Sequence, residues 1–172
     1  MQFGNPSATA KNPSPNRLEK SRRNKSALNS ALSLLSRRPY SQKEVFDHLV
    51  RHWPESDVTV AIAKLKELKF IDDKEFATWY TQSRLRARPM SRKLLALELK
   101  KKGISTMNYE PITTSEVDLA EKAMEKKIAR WKKLPIKEFK IKASRYLQSR
   151  GFAWDTIETI LKKEYNKSSV NS

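Results

Sequence analysis

The sequence predicts an all-α protein made of three tandem three-helix repeats in an elongated, curved array. Composition is the first reason: 172 residues hold three Gly, 32% charged and 38% hydrophobic residues, a helical balance rather than that of a β-sandwich or a nucleotide-binding α/β domain. Apolar side chains also recur at the three-and-four spacing of amphipathic helices. Finally, a basic stretch running into a proline and then a helix occurs three times, with a period of about 50 residues.

Residues 1–25 carry Pro6, Pro13 and Pro15 among Ser, Asn, Lys and Arg, with few large apolar side chains. Such a segment cannot bury enough surface to offset its ordering entropy, so it reads as a disordered basic arm. The first repeat spans 26–71. Ala27, Leu28, Ala31, Leu32 and Leu35 mark its first helix, Val45, Phe46, Leu49 and Val50 its second, and Val58, Ala61, Ile62, Leu65 and Leu68 its third. Pro39 interrupts the first pattern, and Ser41-Gln42-Lys43-Glu44 has the S-x-x-E form of a capping box, so the second helix starts near Gln42. Pro54 ends that helix, and Ser56 is the expected cap of the next.

The second repeat, 72–113, opens with a helix over about 73–87 and ends in ISTMNYEPITTS, whose Pro111 and weak periodicity predict a short or irregular third helix. The third, 114–165, has helices over 115–132, after Pro135, and through Trp154, Ile157, Ile160 and Leu161; Asn166 to Ser172 reads as a disordered tail. The anchors Pro39 with Leu49, Pro89 with Leu99 and Pro135 with Leu147 align the copies. Gly103-Ile104 and Gly151-Phe152 close the second and third, each glycine taking the left-handed backbone conformation at a helix end while the apolar residue packs back over it. In the first copy Trp53-Pro54 stands there, so proline must stop the helix.

Charge narrows the function. Lys and Arg number 36 against 19 Asp and Glu, a net charge of +17, which points to a polyanionic partner and to nucleic acid first. The densest block is Arg84, Arg86, Arg88, Arg92, Lys93, Lys100, Lys101 and Lys102, against one acid, Glu98. A second block includes Lys126, Lys127, Arg130, Lys132, Lys133, Lys137, Lys140, Lys142, Arg145 and Arg150. If both face the inner side of a crescent they form one positive track; the alternative is scattered solvated charge. Arg37 and Arg38 stand beside Tyr40, whose simplest role is packing a helix junction rather than stacking on a base.

Other chemistry finds little material. Asp72 and Asp73 suggest a metal pair, but Asp72 with Glu75 also makes a D-x-x-E helix start, the simpler reading. His48 and His52 share a helix face, yet Leu49 follows His48, so no H-E-x-x-H motif is present. Trp79, Trp131 and Trp154 fall within amphipathic patterns, where core or inter-repeat packing is the default. No nucleophile set or Gly-rich phosphate loop is present, so no catalysis, cofactor or metal is expected. The lack of Cys fits a reducing compartment, and the first residues contain neither an apolar signal run nor an amphipathic transit helix, so the expectation is cytoplasmic.

ALSLLSRRPYSQKEVFDHLV, LKELKFIDDKEFATWYTQSRLRARPMSRKLLALELKKKGIS and YLQSRGFAWDTIETIL together resemble the RecX family from Ala27 to Lys163. The resemblance rests on Arg38-Pro39-Tyr40-Ser41, Asp72-Asp73 before Phe76-Ala77, the Leu99 to Gly103 ending, and Arg150-Gly151-Phe152. It implies a monomeric bacterial-type regulator that binds the RecA recombinase and lodges in the groove of its DNA filament, inhibiting ATPase, strand exchange and coprotease activity. Single- and double-stranded DNA would be bound without sequence preference. Departures are Trp53-Pro54 in place of a glycine turn, Ala153 in place of a Ser cap, and a longer basic arm.

Overall fold

A computed structural model describes residues 26–105, 112–131 and 133–170, with side chains as far as Glu164. The basic arm, Lys132 and the segment 106–111, where the irregular third helix of the second copy is expected, lie outside the described residues. All regular structure among the described residues is helical: α1 (26–35), α2 (Gln42–Leu49), α3 (Glu55–Glu67), α4 (Asp73–Ala87), α5 (Arg92–Lys101), α6 (Glu116–Trp131), α7 (Ile136–Ser149) and α8 (Trp154–Val170).

The chain divides into two compact units: one takes the described residues through Arg38 with Val45–Ile71, the other Pro39–Glu44 with Asp72 onward. In the first unit Ala27, Ala31, Val45, Leu49, Val58 and Leu65 are fully buried, the inward stripe of an amphipathic helix in each case. Val50 and Leu68, included in the expected stripes, are instead 40% and 49% exposed. Val50 falls beside rather than on the Val45/Leu49 line, and Leu68 is already the C-cap of α3.

The second unit has two cores. Phe76, Met90, Leu95, Leu99 and Ile104 form one, and Leu119, Met124, Phe139, Leu147, Phe152 and Ile157 anchor the other; Leu85 and Ile112 pack against both. In the latter core α6, α7 and α8 pack mutually. Trp79 and Trp131 cover these cores as expected. Trp154 does not: as the first residue of α8 it is 58% exposed, because Ile157 and Ile160 already fill that helix's inward face.

Helix ends follow their capping chemistry. In the capping box, Ser41 Oγ accepts from Glu44 N at 3.1 Å and Glu44 Oε2 from Ser41 N at 3.4 Å. Ser91 caps α5, accepting from Leu94 N at 3.1 Å. Ser56 is not the cap of α3: Pro54 occupies that position without a side-chain bond, and Ser56 Oγ donates to Asp57 instead. Gly103 (φ 81°) and Gly151 (φ 79°) are left-handed, and Ile104 N and Phe152 N donate back to Leu99 O and Leu147 O, closing both helices in Schellman motifs. Lys69 (φ 57°) does the same for α3, with Phe70 N donating to Leu65 O at 2.8 Å. α8 continues through Val170 where a tail was expected from Asn166, since EYNKSSV contains neither Pro nor Gly to stop a propagating helix.

One joint occurs twice inside the second unit. Ser41 Oγ donates to Lys102 O at 2.7 Å, Asp73 Oδ1 accepts from Gln42 N at 2.9 Å, and a Cβ on Gly103 would sit 2.7 Å from Lys43 Cβ. Likewise Ser91 N donates to Arg150 O at 3.0 Å, Glu116 Oε1 accepts from Arg92 N at 2.8 Å, and a Cβ on Gly151 would sit 2.7 Å from Ser91 Oγ. In each case the capped start of one helix meets the glycine end of the corresponding helix about 50 residues on, and a carboxylate from the next copy takes an orphan N–H. At the positions corresponding to these joint residues, Trp53-Pro54 carries no glycine and Pro135-Ile136-Lys137 no serine.

Candidate basic interface

The expected basic residues separate into those already engaged and those left to solvent. Arg84 is the clearest case of the former. Its Nε and Nη2 donate to Glu98 at 2.7 and 2.5 Å, and Tyr80 Oη donates to the same carboxylate at 3.0 Å. This is a bidentate, half-buried pair fastening α4 to α5. The hydrogen bond from Arg84 holds the Glu98 carboxyl below its usual range against the opposing effect of burial. The same bond raises the Arg84 guanidinium, while burial first and Glu98 second push the Tyr80 hydroxyl up. Arg84 therefore serves the fold, a role sequence spacing with Arg88 concealed.

Lys102 is similarly occupied, 2.6 Å from Glu44, where it reinforces the first joint. Arg92 lies 3.8 Å from Glu116 and Lys142 3.8 Å from Glu138, both pairs largely exposed and weak. Arg150 places its guanidinium 4.8 Å above the Tyr146 ring, Lys127 approaches the same ring at 5.6 Å, and Trp131 meets it edge-on at 5.6 Å. Burial raises the Tyr146 hydroxyl, with Arg88 acting in the opposite sense. In the first unit Arg37 is exposed and Arg38 half-buried with an interaction of its own; in the second, Tyr40 is half-buried and likewise engaged.

Arg86, Arg88, Lys93, Lys100, Lys101 and Arg145 remain, all exposed. Lys93 and Lys100 share one face of α5 and line a groove of about 570 Å³ with Ala96, Leu97, Gly103, Ile104 and Ser105. Leu97 lies off the Leu95/Leu99 stripe that faces the core, between two lysines, and that offset is the sequence signal that marks it.

The acidic and histidine alternatives resolve into local structure. Asp72 Oδ1 accepts from Lys74 N and Glu75 N at 2.7 and 3.1 Å, capping α4, while Asp73 caps α2 from a distance. The His48 and His52 rings meet edge to face at 6.0 Å, and His52 meets Trp53 similarly at 5.7 Å. No helix among the described residues is long and apolar enough to cross a membrane.

Known proteins share this architecture. Residues 27–65, 72–106 and 114–161 match the first, second and third three-helix domains of RecX. The regulatory protein RecX of Bacillus velezensis is 32% identical over 145 residues, covering 81% of this chain and 55% of that protein; the chain spans about half the length of such Bacillus relatives. Its counterpart from Chlorobaculum tepidum is 31% identical over 150 residues, covering 86% of this chain and 93% of its own length. The crystal structure of RecX from Lactobacillus salivarius superposes with a TM-score of 0.68 at 27% identity, covering 84% of this chain and 97% of that one. With all three characteristic domains present in order, this chain belongs to the RecX family of regulatory proteins.

Proposed function

We propose that this chain binds the RecA recombinase and its DNA filament and inhibits RecA ATPase, strand exchange and coprotease activity, thereby modulating DNA repair and recombination. Membership of the RecX family carries the reading, since relatives across the matched length are regulatory proteins. The physical support is the net charge of +17 together with exposed cations, Arg86, Arg88, Lys93, Lys100, Lys101 and Arg145, for which no ion pair is recorded among the described residues. Such cations suit DNA phosphates or an acidic filament surface, with no sequence readout required. On this reading the chain is a cytoplasmic monomer that acts by occupancy and has no catalysis or cofactor of its own.

Titration into a RecA reaction on single-stranded DNA tests it: substoichiometric chain suppresses ATP hydrolysis, and unchanged hydrolysis across the full titration rejects the proposal. A DNA-binding module independent of RecA is the second reading, favoured by the charge alone. Its signature is DNA affinity falling with salt at a log–log slope of about −0.7 per phosphate contacted on single strands. Inhibition persisting at salt that abolishes binding to bare DNA selects the RecA-directed reading.

A further inference from the structure

Helix α5 carries a second surface besides the one facing the core. Lys93, Ala96, Leu97 and Lys100 are mutual neighbours at three- and four-residue spacing, so two lysines bracket one leucine along the groove. Leu97 is 50% exposed there, while Ile104 at the helix end is buried and supplies apolar floor. Gly103 lines the same end of the groove. The helix's one acid, Glu98, is turned toward Arg84 and Tyr80 and does not neutralise the lysines. For Lys93 and Lys100 no ion pair is recorded among the described residues.

From this arrangement we infer that the Lys93–Leu97–Lys100 groove docks an acidic segment of a partner protein through one apolar side chain seated on Leu97 and Ile104, with carboxylates flanking it on the two lysines. Charge complementarity selects the sign of the partner, and the half-exposed leucine selects protein over nucleic acid. A phosphate backbone uses the lysines but gains nothing from Leu97, whereas an apolar anchor ringed by carboxylates uses both. At about 570 Å³ the open groove has room for one apolar side chain with its flanking groups. The inference rests on the reading that this chain acts on a protein partner, and names how such a partner is gripped.

The test uses the full chain and three fluorescein-labelled probes: a short Glu/Asp peptide with one central Leu, the same peptide with Ser in place of that Leu, and an oligothymidylate. The expected pattern is preference for the Leu peptide, with Leu97→Ser weakening it about tenfold and Leu97→Met retaining it. Leu97→Ser leaves oligothymidylate affinity within about twofold, whereas the double variant Lys93→Glu/Lys100→Glu weakens both ligands. Equal affinity for the Leu and Ser peptides, or indifference to Leu97→Ser, overturns the inference. Binding that appears only after residues 106–111 are deleted assigns the groove to the chain's own segment and overturns it as well. The RecA ATPase titration, run in parallel, separates the two proposals. Suppression without peptide binding removes the groove and leaves the regulator; peptide binding without suppression does the reverse.

Discussion

Gly151→Ala tests the joint between successive copies. Its backbone φ is 79°, a left-handed conformation that costs a residue with a side chain about 1–2 kcal/mol. An added Cβ would also lie 2.7 Å from Ser91 Oγ and 2.8 Å from Leu94 Cβ, well inside ordinary van der Waals contact. Neither atom is the free end of a flexible chain: Ser91 is buried and caps α5, and Leu94 Cβ is tied to the first turn of that helix. Relieving the overlap adds about 1–3 kcal/mol, as for other overpacked sites. The lower unfolded-state entropy of Ala returns roughly 0.4–1 kcal/mol. The expected net loss is about 2–4 kcal/mol, a fall of roughly 5–15 °C in Tm for a chain of this size. Far-UV circular dichroism during urea and thermal unfolding measures it. A second arm isolates the contact: combined with Ser91→Ala, which removes Oγ, the losses are less than additive by at least about 0.5 kcal/mol. A loss below about 1 kcal/mol, or strict additivity, would refute the steric account.

Lys69→Gly should act oppositely, stabilising by about 0.5–1 kcal/mol in the same unfolding assay, because Lys69 already holds a left-handed φ that glycine adopts without strain. Glu98→Gln should cost about 1–2 kcal/mol near neutral pH. Because Arg84 depresses the folded Glu98 pKa, the ionic contribution is fully present above the ordinary carboxylate value of about 4.3 and is lost as pH falls through the lower folded value. The difference between wild type and Glu98→Gln therefore holds from pH 7 to about pH 5 and shrinks in more acidic urea titrations; a constant difference down to acid unfolding contradicts it. Arg84→Ala and Lys101→Ala should separate: the first lowers stability by about 1–3 kcal/mol, and the second leaves it within about 0.5 kcal/mol. The second, if Lys101 meets a phosphate, lowers the salt slope of DNA binding by somewhat under one unit.

Local chemistry was legible in the sequence. The S-x-x-E pattern at Ser41 and Glu44, the glycines at 103 and 151 and the D-x-x-E start at Asp72 each describe a structure whose causes lie within a few residues. Less legible was which surface cations stay free. Arg84 and Lys102 look like Arg86 and Lys101 along the chain, but Glu98 and Glu44 come to the first pair from 14 and 58 residues away. Trp154 failed for a related reason: spacing allows an inward position, and whether an inward position is already filled depends on neighbours.

By itself the sequence determined that the chain is helical, where most of its helices begin, that the pattern repeats three times, and that the molecule is strongly basic. These follow from propensity, capping and composition, which act over one or two turns. Only the tertiary structure decided that Ser41 and Asp73 join Lys102 and Gly103, that Ser91 and Glu116 join Arg150 and Gly151, and that Leu97 stays at the surface between two lysines. Those outcomes depend on which helix start is brought against which helix end. Many side chains meet the chemical requirement for such a contact, and packing selects among them.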